Sequence, residues 1–169
     1  MTDKPTPSLH RPLFSKGEYL DFVKLFAGKT LKEITYHTWH NMAREEDPIS
    51  FIYLLEIEFS DSSKVQLTSG EEEARLTTVP IDIEQEKKDL IKGFSNQLWI
   101  SSAVQNDNEM WKELVGKEVL KLEMSEEPTG AGFFADQFLL HFSEHSLLIE
   151  IGLEGDGLEV NWWENEEDV

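Results

Sequence analysis

One order of elements is written twice in this chain, and it constrains the fold more than any other feature. Gly28-Lys29-Thr30-Leu31-Lys32-Glu33-Ile34 is echoed by Gly116-Lys117-Glu118-Val119-Leu120-Lys121-Leu122. A helical pattern runs into each Gly-Lys pair and a strand pattern leaves it. In the first copy Ser15 stands three residues before Glu18. That is capping-box spacing, with a hydroxyl for the N3 amide and a carboxylate reaching back. Tyr19, Phe22, Val23 and Phe26 follow on one helical face, and Gly28 can end the helix in a left-handed conformation. In the second copy Asp107 or Asn108 is the cap, Met110, Trp111, Leu114 and Val115 form the apolar face, and Gly116 is the terminator. Strands are expected to begin near Thr30 and Glu118.

Each copy continues as a meander. Ile49, Phe51, Tyr53, Leu55, Ile57 and Phe59 alternate, the period of a strand with one buried face. Ile52 and Leu54 are apolar too, so the middle of this strand is expected to be covered on both sides. Val65 and Leu67 resume the alternation after a polar turn, and Leu76 to Val79 is a last strand. In the second copy the corresponding runs are Phe138-Leu140-Phe142, Leu147-Ile149-Ile151 and Leu158-Val160-Trp162. A short helix over Glu84 to Ile91 and a strand over Leu98 to Val104 fill the connection.

These patterns predict an α+β fold. Two pseudo-repeated units of helix, Gly-Lys and antiparallel β-meander pack as one domain, with the helices on one sheet face. The expected limits are a flexible leader over 1–14 and a single domain over 15–163. Within the domain, repeat one covers 15–79, a linker 80–105 and repeat two 106–163; an acidic tail follows over 164–169. Halves of about 80 residues bury too little surface to stand alone, so they are expected to pack together.

Charge restricts the partners. The 169 residues carry a net charge of −19, and from Leu122 to Val169 there are thirteen Asp and Glu but no Lys or Arg. Phosphate binding relies on Lys and Arg, so nucleic acid and anionic membrane surfaces are expected not to be partners, whereas a basic protein is. The chain lacks cysteine, which removes thiolate nucleophiles and Cys-ligated metals. The longest apolar stretch, near Phe51 to Leu55, is too short to span a bilayer, and Met1 to Pro12 lacks the apolar core of a secretory signal. A cytoplasmic setting is expected.

Several constellations invite chemistry. His37 and His40, and His141 and His145, form two pairs. A spacing of three on a strand sends two side chains to opposite faces, and His145 falls in the turn expected after His141. His37, His40 and His141 are thus weak candidates for a metal site, and no cofactor is expected. Pro128 to Gly132 and Gly152 to Gly157 lack the residue order of a phosphate-binding loop, and no nucleophile elbow is present. Glu56 and Glu58 share the outward parity of one strand, with Glu150 and Glu159 at matching places in the other copy. Together they suggest an acidic outer face. Trp162 should point inward and Trp163 outward, where an exposed indole can anchor an interface.

In charge and size the chain resembles the small acidic inhibitor and immunity proteins that neutralise basic nucleases. The expectation is a non-enzymatic acidic cytosolic protein that masks a basic protein partner, with Glu56, Glu58, Glu150, Glu159 and Trp163 as binding residues. The alternative is a small metal- or ligand-binding enzyme with its site between the two repeats.

Overall fold

The computed structural model describes residues 11–43, 46, 48–69, 76–78, 80–94, 97–152 and 157–166. Along the chain come β1 (Leu13–Phe14), α1 (Lys16–Phe26), β2 (Leu31–Asn41), β3 (Ile49–Phe59), β4 (Lys64–Thr68), α2 (Ile83–Phe94) and β5 (Leu98–Val104). Then follow α3 (Glu109–Leu114), β6 (Lys121–Glu123), β7 (Phe133–Phe134), β8 (Gln137–His141), β9 (His145–Ile151) and β10 (Leu158–Glu164). The fold is α+β, and every strand pair is antiparallel.

Ser15 closes the expected capping box with Glu18, and Asn108 caps α3 through the amide of Met110. Both helices end alike. The amides of Ala27 and Val115 reach back to the carbonyls of Val23 and Trp111, and Gly28 and Gly116 then turn left-handed at φ +77° and +88°. Beyond the turn the two junctions bond to each other. Gly28 N–H donates to Val119 C=O and Gly116 N–H to Leu31 C=O, both at 2.8 Å. Leu31 N–H donates to Lys117 C=O and Val119 N–H to Lys29 C=O. These bonds are reciprocal and flank the Thr30–Glu118 bridge. Away from the junctions the halves diverge: β2 and β3 each have 11 residues, whereas β6 has 3.

The main sheet has eight strands in the order β5-β2-β3-β10-β9-β8-β6, with β4 beside β3. Thr30 pairs with Glu118 just before β2, and Leu120 N–H donates to His141 C=O at the end of β8. The ladder therefore returns to β2 and encloses a core. Two strands fork. One edge of β3 meets β4 over Leu54 to Glu58 and β10 at Ile52. One edge of β2 meets the Lys117–Val119 segment first and β5 further on.

Phe22 and Phe26 from α1 and Trp111 and Leu114 from α3 fill the enclosure with Ile34, Leu55, Ile57, Phe59, Phe138, Leu140, Leu147 and Ile149. Phe26 packs edge-on to Phe59 at 5.9 Å and tilted against Phe138 at 5.4 Å. Trp111 Nε1–H donates to the Tyr36 hydroxyl at 2.6 Å, and burial holds the Tyr36 phenol above its usual pKa. The expected helix of the connection spans Ile83–Phe94 and packs against β5. Leu54, Leu90 and Ile100 are buried apart from the main core.

Three expectations shift. The alternation of β3 holds from Leu55 to Phe59, but the register shifts between His37, which faces Leu54, and Thr38, which faces Ile52. A bulge of this kind reverses the faces, so Ile52 rather than Phe51 packs against the core. Leu76 to Val79 is not a full strand; Thr77 makes a single bridge to Thr68, and Val79 lies outside the described residues. The chain is also held earlier than the expected leader allows. Leu13 and Phe14 pair with Phe134 and Phe133, and Arg11 grips Asp136 through two 2.8 Å hydrogen bonds. Residues 1–10 lie outside the described residues. Among the described residues no helix is long and apolar enough to cross a membrane.

Candidate functional site

Strands β9 and β10 set an acidic pair on the outer side of the sheet. Leu147 and Ile149 are fully buried and Leu158 nearly so; the alternation of a strand sends the residues between them outward. Glu150 and Glu159 are direct cross-strand partners. Like charges in that position are destabilising. Burial, then Glu159, then Asp136 push the Glu150 carboxyl above the usual range. Asp136 has its own cation in Arg11, whose guanidinium stacks over Phe134 at 3.7 Å.

Further along β10, Trp162 turns inward and stacks on the buried His145 at 4.8 Å. Trp163 turns outward and is 45% exposed. The strand end is fixed by Asn165. Its N–H donates to Glu144 C=O at 2.8 Å, its side-chain amide donates to Phe142 C=O at 3.0 Å, and it accepts from Ser146 Oγ at 2.6 Å. The expected acidic tail therefore starts later: Glu164 belongs to β10 and Asn165 is tied down, while residues 167–169 lie outside the described residues. Nearby, His141 lies 2.8 Å from a Glu123 carboxylate oxygen and 3.3 Å from Ser146 Oγ. Trp163 is thus presented from a held strand end, on the same face of β10 as Glu159.

The other two expected acids are occupied. Glu58 lies 3.7 Å from the Lys32 ammonium and opposite Lys64. Glu56 Oε2 lies 3.1 Å from His37 Nε2, and His37 Nδ1 lies 2.7 Å from Ser102 Oγ. A neutral imidazole at His37 can donate to Glu56 and accept from Ser102. This satisfies a ring that is only 4% exposed. Glu56 also lines an open hollow of about 530 Å³ with Lys64, Gln66, Thr78, Pro80, Ile81 and Asp82.

The three candidate histidines do not converge. His37 reaches Ser102, whereas His40 reaches its neighbour Ser101 at 2.8 Å and Ser50 at 2.9 Å, and stacks on Trp99. Adjacent strand residues point to opposite faces, so the two imidazoles are on opposite sides of the sheet. His141 belongs to β8. His145 is not in a turn; it opens β9. Among the described residues no three His, Asp or Glu side chains gather as a metal site would require. The hollow beside Glu56 is lined only by residues preceding α2.

Sequence reasoning missed Ser102, Ser146, Asn165 and the Arg11–Asp136 clasp. Each is placed by strand register, and no local sequence pattern marks it. No protein-family model, characterised protein or solved structure matches this chain.

Proposed function

We propose that this chain is a non-enzymatic acidic binding protein that masks a basic protein partner in the cytosol, as an inhibitor of immunity type does. The docking surface in this reading is the outer side of β9 and β10. The observation that carries it is the direct opposition of Glu150 and Glu159, with the exposed Trp163 further along the same face of β10. Burial first, and the facing Glu159 second, raise the Glu150 pKa, and an arriving Lys or Arg favours the charged carboxylate. Trp163 supplies the apolar contact that charge alone lacks, since buried aromatics dominate binding energy. With the negative charge of the chain steering approach, association slows as salt screens the field.

The test is capture from native lysate at low ionic strength with the immobilised full-length chain. The expected result is retention of one or a few basic proteins, released by salt, and lost with the Glu150→Gln/Glu159→Gln pair and with Trp163→Ala. Glu109→Gln/Glu113→Gln on α3 removes the same charge from exposed positions elsewhere. Equal loss with that control pair would reduce the effect to net charge, and the assignment of the face would fail.

A further inference from the structure

Two long strand edges stay open among the described residues. One is the outer half of β10, which meets β3 only at Leu158. The other is the outer edge of β5, which pairs with β2 alone and ends the sheet. Open edges template the addition of another strand, and proteins guard them with charge. The β10 edge carries Glu159 and Glu164 and runs on to Glu166. The β5 edge, Leu98-Trp99-Ile100-Ser101-Ser102-Ala103-Val104, carries no charge at all.

The surroundings of β5 are apolar as well. Val104 is 58% exposed, and α2, which packs against β5, exposes Ile91 at 61% and Phe94 at 52%. These are the three most exposed large apolar side chains among the described residues but for Leu120. Charge on this block balances. From Ile83 to Val104, Glu84, Glu86 and Asp89 are matched by Lys87, Lys88 and Lys92. The whole net charge of −19 therefore resides elsewhere in the chain. Two copies of so acidic a molecule repel over most of their surfaces. The α2–β5 block is where they can approach without that repulsion, and where an unguarded edge and apolar side chains await a partner.

We propose that two copies of this chain join edge to edge through antiparallel pairing of β5 with β5, flanked by Ile91 and Phe94 of α2. The two sheets become one across a two-fold axis. This interface is separate from the acidic face of β9 and β10, and salt affects it in the opposite sense. Screening removes the residual repulsion between like-charged copies, so added salt tightens the dimer.

Sedimentation and light scattering of the full-length chain across concentration and salt test this. The expected particle has twice the 19.5 kDa chain mass, and its dissociation constant falls as salt rises. Val104→Glu and Ile91→Glu, both at exposed positions, each raise that constant about tenfold or more by removing apolar burial and placing charge at the axis. Circular dichroism and melting verify that these variants fold. Hydrogen exchange on the unmodified protein gives an independent reading: the β5 amides gain protection as concentration rises. A monomer at every concentration and salt overturns the proposal, as it would if the block serves a different protein. So does a dimer that survives both substitutions, or one that salt dissolves.

Discussion

At Gly157 the chain turns left-handed, φ +70°, just as it enters β10 beside β3. A Cβ here would lie 2.5 Å from the Phe51 ring and 2.7 Å from the Ile52 carbonyl oxygen. The backbone of β3 cannot yield without opening the seam that Leu158 makes with Ile52. Gly157→Ala combines left-handed strain of roughly 1 kcal/mol with that collision. It is expected to destabilise the fold by about 2 kcal/mol or more, read as a lower urea midpoint at unchanged slope. Glu150 shows the opposite sign. Burial, Glu159 and Asp136 raise its carboxyl pKa in the folded state. The fold therefore holds that proton to higher pH than the unfolded chain does, and stability declines as pH rises from the ordinary carboxylate range through the raised value. Glu150→Gln lacks that decline. The variant should match the parent in acid and exceed it at neutral pH by a few tenths of a kcal/mol, solvent screening keeping the effect small. Urea titrations at the two pH values check this; a variant less stable than the parent at neutral pH would show that the carboxylate has a stabilising partner.

Elements were legible in the sequence where local rules decide them. Ser15 with Glu18, Asn108, Gly28 and Gly116 mark helix ends by chemistry within one turn, and α1 and α3 form where those residues place them. The strand Leu98–Val104 appears with its expected limits. The expected helix over Glu84 to Ile91 extends to Ile83–Phe94, with Leu90 its buried residue. Long-range pairing decided the remainder. The bulge opposite His37 swaps the faces of β3, so the odd-position rule that places Leu55, Ile57 and Phe59 fails at Phe51. The four outward glutamates look equivalent by parity. The register separates them, giving Glu58 to Lys32 and Glu56 to His37 and setting Glu150 against Glu159. Capping energetics supply a prediction at this scale. Ser15→Ala should cost about 1 kcal/mol, since it removes the hydroxyl that accepts from the Glu18 amide. The loss should appear in thermal melts, with hydrogen exchange localising it to the first turn of α1.

Over the whole molecule, the strands of the two halves are segregated rather than interleaved. β5, β2, β3 and β4 come from the first half with its connection, and β10, β9, β8 and β6 from the second; they meet at two seams. One seam is the β3–β10 contact at Ile52 and Leu158, and the other is the reciprocal bonding around Thr30 and Glu118. Neither set encloses the core. Phe26 of α1 packs on Phe138 of the second half, and Trp111 of α3 donates its indole N–H to Tyr36 of the first. Each half alone would expose the faces of these aromatics and lose burial that offsets the entropy of folding. Fragments 1–106 and 107–169, cut at the exposed Asp107 before α3, should each lack cooperative unfolding. Mixed, they should assemble one to one and recover the parent's near-ultraviolet circular dichroism, because the seams and the shared core supply the missing burial. Tyr36→Phe should weaken that assembly about fivefold to tenfold, since the Trp111 N–H loses its acceptor at a net cost of about 1 kcal/mol or more. Independent folding of either fragment would mean that the core divides at the seams, contrary to the aromatic contacts that cross them.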